Sequence, residues 1–63
     1  MKPTRQQMQR AELAGRAARQ AGKNCHHVPP YGSGEFARLM EEAWLDGWDD
    51  EDRHIAKRRE VMA

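Results

Sequence analysis

Cysteine is all but missing from this chain: Cys25 stands alone among 63 residues, so no disulfide can close within it. That suits a reducing compartment. Long apolar runs are missing too. Nothing approaches the ~20 apolar residues of a membrane-spanning helix, and the first residues show no apolar signal-peptide core. The expectation is a cytoplasmic protein with no membrane partner. Large apolar side chains are scarce: 38% of residues are hydrophobic, many of them alanine, and the aromatic rings are limited to Tyr31, Phe36, Trp44 and Trp48. A chain this short holds a single domain, 1–63, whose core rarely supplies more than about 3–5 kcal/mol. With one serine, one cysteine and no glycine-rich loop followed by lysine, there is no nucleophile–base–orienter set and no phosphate cradle. No enzyme activity, catalytic residue or cofactor is expected.

What the chain has in quantity is charge, at 33% of residues, and the net +1 hides how it is arranged. Residues 1–24 carry Lys2, Arg5, Arg10, Arg16, Arg19 and Lys23 against Glu12 alone, giving +5. Residues 35–52 carry eight carboxylates against Arg38, giving −7, and residues 53–63 return to +3. Segregation of this kind means either that the two halves attract each other or that they face different partners.

The pattern predicts an all-α protein, a two-helix hairpin. The first helix spans about 4–22: Thr4 is a good N-cap, the stretch is rich in Ala, Gln, Arg, Leu and Met, and Gly22-Lys23-Asn24 supplies a stop. Residues 23–33 form an extended connector, because Pro29 and Pro30 remove donors and push Val28 and Pro29 out of helical geometry. A second helix spans about 34–48. A helical extension over 50–60 follows, either continuing through Gly47, a weak point, or restarting at Asp49 or Asp50. At 100° per residue, Ala11, Gly15, Ala18 and Gly22 fall within about 60° of one another, a stripe of small residues. Phe36, Leu39, Met40, Ala43, Trp44, Gly47 and Trp48 share one face of the second helix. Laying Trp44 and Trp48 on the small stripe explains both patterns, since large rings in a glycine-alanine groove allow close approach and bury much area.

These residues also carry a resemblance. The run Ala11-x3-Gly15-x2-Ala18-x2-Ala21-Gly22-Lys23, then Pro30-Tyr31, then Trp44-Leu45-x-Gly47-Trp48 resembles the ribosome modulation factor family of short bacterial proteins and the related CrpP-like proteins, over about residues 10–48. The resemblance implies a helical, ribosome-associated stress-response regulator. It would bind the small subunit and its 16S ribosomal RNA, promote ribosome hibernation and silence translation. The acidic run Asp49-Asp50-Glu51-Asp52 stands where the family is usually basic. It favours an alternative, a phage- or plasmid-type module that docks on a basic host protein through its acidic second half, with Asp49, Asp50 and Glu51 as the docking candidates. A second copy of the chain is a further candidate partner.

Under the first reading, Arg5, Arg16, Arg19 and Lys23, within about 60° of each other on the first helix, are the candidate RNA-phosphate contacts. The bland reading of the same residues is an ordinary solvated face. Tyr31 is a candidate to stack on an unpaired base, against a ring folded back over the open end of the hairpin. Cys25-His26-His27, with His54 distant, offers ligand types, but adjacent ligands suit one tetrahedral ion poorly and paired CxxC spacings are missing. No metal is expected.

Overall fold

The computed structural model describes residues 2–62, with side chains through Arg59. The first helix, α1, spans Arg5–Gln20, and both of its ends are built by the residues the sequence marks. Thr4 is the N-cap: its hydroxyl accepts from the Gln7 amide at 3.2 Å, and the Gln7 side chain accepts from the Thr4 amide at 2.8 Å. This reciprocal box satisfies two amides that the first turn would otherwise leave unpaired. At the other end the Gly22 amide donates to the Arg19 carbonyl and the Lys23 amide to the Ala18 carbonyl, with Gly22 at φ +80°. Paired bonds of this kind around a left-handed residue favour glycine at the turn.

Gly22 is therefore a helix stop and not part of the packed stripe. It is exposed, and a Cβ there would meet nothing within 4 Å. The stripe that packs is Ala11, Gly15 and Ala18, the first two buried and the third half-buried. The connector then makes one 3₁₀ turn, Cys25–His27, capped by the Asn24 carboxamide oxygen, which accepts from the His26 amide at 2.8 Å. Pro29 lies beside Ala14, Ala17 and Ala18 along an open groove of about 330 Å³, so the connector doubles back against α1. Pro30 stands exposed.

The second helix, α2, is continuous over Gly34–Met62. Asp49 and Asp50 cap no new helix. Gly47 does not break it, and at that position α2 packs against the backbone of α1. A Cβ on Gly47 would strike the Glu12 carbonyl oxygen, with the Glu12 carbonyl carbon at 2.7 Å and its Cα at 2.8 Å. Gly15 does the same from the other side: a Cβ there would strike the Trp44 carbonyl oxygen and lie 2.9 Å from the Trp48 amide nitrogen. Each helix thus offers a glycine to the other's backbone. Around this contact Ala11, Met40, Ala43 and Trp44 form the buried core, and Met8, Ala18, Val28, Tyr31, Phe36, Leu45 and Trp48 close over it.

Register follows from the pairs. Glu12 meets Gly47, Gly15 meets Trp44 and Trp48, Arg16 meets Asp50, and Arg19 meets Asp52. The contact points advance in the same sense along both helices, which is why the connector must run back beside α1 before α2 begins. Among the described residues no strand occurs, and no helix is long and apolar enough to cross a membrane.

Candidate functional site

The segregated charges meet in the fold. Arg19 donates from Nε to Asp52 Oδ1 at 2.8 Å, and its guanidinium carbon lies 5.6 Å from the centre of the Trp48 ring. Trp48 in turn donates from its indole nitrogen to the Lys23 carbonyl at 2.9 Å. One chain of contacts therefore ties the end of α1 to the middle of α2 through Lys23, Trp48, Arg19 and Asp52. On its own, Arg16 pairs with Asp50 at 3.6 Å. A step of 100° per residue puts Asp50 and Asp52 about 160° apart around α2. The two arginines that share a face of α1 therefore reach nearly opposite flanks of α2, with Glu51 between them.

Glu51 faces inward. It is 9% exposed, and Arg58 lies 3.7 Å from its carboxylate, on the next turns of the same helix. Arg16, Asp50, Glu51 and His54 line a cleft of about 220 Å³. The continuous acidic run is thus split by helix geometry. Asp49 points to solvent, Asp50 and Asp52 are paired with α1, and Glu51 is buried, so Asp49, Asp50 and Glu51 do not form one docking surface. A different set does line up: Glu35, Glu42, Asp46 and Asp49 are all exposed and fall within about 60° on the outer side of α2. The helical period of the sequence carries that signal, but the eye is drawn to the consecutive run.

Of the candidate RNA contacts, Arg5 and Lys23 are exposed and make no ion pair among the described residues, whereas Arg16 and Arg19 hold carboxylates. Those pairs are open to water, with side chains between 24% and 60% exposed. Exposed pairs of this sort contribute only about 0–1 kcal/mol each. Tyr31 is half-buried and packs against the core, and this burial raises its phenol above the ordinary value by desolvation. Its ring closes over the helix pair, in line with the folded-back reading.

Cys25, His26 and His27 follow one another around the 3₁₀ turn, where the His27 ring contacts the Asn24 carboxamide at 3.0 Å. Among the described residues no three His, Cys, Asp or Glu side chains are grouped so as to hold a metal ion.

Comparison with family models, with curated proteins and with solved structures returns no match.

Proposed function

We propose that the chain is a ribosome-associated regulator that binds the small subunit through ribosomal RNA and silences translation. One observation carries this reading most. Four of the residues that carry the resemblance to ribosome modulation factor, Gly15, Trp44, Gly47 and Trp48, lie where the two helices touch. This part of the motif coincides with the packing determinant of the fold, as expected if its spacing reflects a shared architecture. Arg5 and Lys23 lie open for phosphate. Arg16 and Arg19 sit in weak pairs, whose carboxylates a phosphate can replace at small cost.

The test is replacement of Arg16, Arg19 and Lys23 together by Gln, which keeps helix propensity. Binding to small subunits should weaken, and the slope of log affinity against log salt should flatten by about two to three units, since each neutralised phosphate releases counterions. An unchanged slope in a variant whose circular dichroism matches the parent would remove these residues from any RNA contact.

The outer stripe of Glu35, Glu42, Asp46 and Asp49 favours a second reading, docking on a basic protein surface. Glu42→Lys with Asp46→Lys separates the two. Under the second reading a pull-down partner is lost. Under the first, ribosome binding stays level or rises.

A further inference from the structure

We propose that Asp52 is a built-in stand-in for phosphate: it occupies the Arg19 guanidinium in the free protein and has to be displaced when RNA binds. The inference rests on the RNA reading above and concerns how that site is regulated. Arg19 is held from two directions, by the Asp52 carboxylate at 2.8 Å from Nε and by the Trp48 ring at 5.6 Å from its guanidinium carbon. Trp48 is itself fixed by its bond to the Lys23 carbonyl. If Asp52 leaves, Trp48 still orients the guanidinium, so the ordering of a flexible side chain has been met before any ligand arrives. A guanidinium edge that receives a carboxylate receives a phosphate oxygen with the same charge-assisted geometry. Asp52 can leave, because its side chain is 45% exposed. Lys23, exposed beyond the end of α1 and bonded through its carbonyl to Trp48, adds a second cation nearby.

Arg16 and Asp50 lie on the far flank of α2 and supply no such arrangement. Their contact is 3.6 Å, and among the described residues no aromatic ring lies under the Arg16 guanidinium. The carboxylate two residues before Asp52 is therefore not expected to act in the same way.

The experiment measures binding of the full chain to purified small ribosomal subunits over a salt series. Asp52→Asn, and Asp52→Gln as a second neutral variant, are compared with Asp49→Asn, which removes one equal charge from the outer stripe. Both Asp52 variants should bind about fivefold more tightly at low salt, since no ion pair has to be broken first, and keep the parent's salt slope, since Arg19 meets the same phosphate in each. Asp49→Asn should leave the affinity where it was. Adding Arg19→Gln to Asp52→Asn should erase the gain. Equal behaviour of the Asp52 and Asp49 variants, with the parent binding and salt-sensitive, overturns the stand-in and leaves the RNA reading intact. Survival of the gain without Arg19 overturns it as well. No binding by the parent or any variant at low salt overturns both.

Discussion

Gly47→Ala should cost the protein most of its stability, although the same change in an exposed helix would help. In an open helix interior, alanine is favoured over glycine by about 1 kcal/mol. Here the new methyl group would be driven into the Glu12 carbonyl, with the Glu12 Cα at 2.8 Å. A flexible side chain could swing aside, but helix backbone cannot, so the helices must separate along the whole contact. Overpacking typically costs about 1–3 kcal/mol, and a core of this size supplies only about 3–5 kcal/mol. Gly15→Ala should behave alike, since its methyl group meets the Trp44 carbonyl and the Trp48 amide. The sign is the diagnostic. Thermal melts followed by far-ultraviolet circular dichroism should show both variants melting lower, and the double variant should lose less than the sum because either change alone already opens the contact. A rise in melting temperature for either single variant would mean that the helices do not touch there.

Trp44→Ala should leave no cooperatively folded state. Trp44 is 2% exposed and is the largest fully buried side chain among the described residues. It joins Ala11 of α1 to Met40 and Ala43 of α2 in the buried core. Truncating a buried tryptophan costs about 3–5 kcal/mol, which equals everything a core this small supplies. Trp48 becomes the sole indole and reports the result: its emission should shift to that of a solvated ring, and urea titration should lose its sigmoidal form. A sharp transition in Trp44→Ala would place the stabilising burial elsewhere.

Much of this architecture can be read from the residues, because local chemistry decides it. Thr4 as a cap, Gly22 as a stop, the prolines in the connector and the small stripe around Gly15 each have a physical reason that does not depend on a partner. Gly47 is harder. A glycine inside a helical pattern signals weak propensity, and only its place on the same face as Trp44 hints that something presses there. Charge segregation was visible, but the pairing of Arg19 with Asp52 depends on the register between the helices, which the path of the connector sets. Glu51 was hidden by its neighbours: four consecutive acidic residues suggest a surface, and the 100° step turns one of them inward. The outer stripe of Glu35, Glu42, Asp46 and Asp49 was available from the same step, applied to separated residues.

The most direct measurement is co-sedimentation of the intact chain with isolated small and large ribosomal subunits as salt rises from about 50 to about 200 mM, the range over which phosphate contacts weaken steeply. The protein should pellet with small subunits at low salt, stay in solution with large ones, and be released as salt increases. Failure to pellet with small subunits at the lowest salt, or equal pelleting with both, would contradict the proposed function.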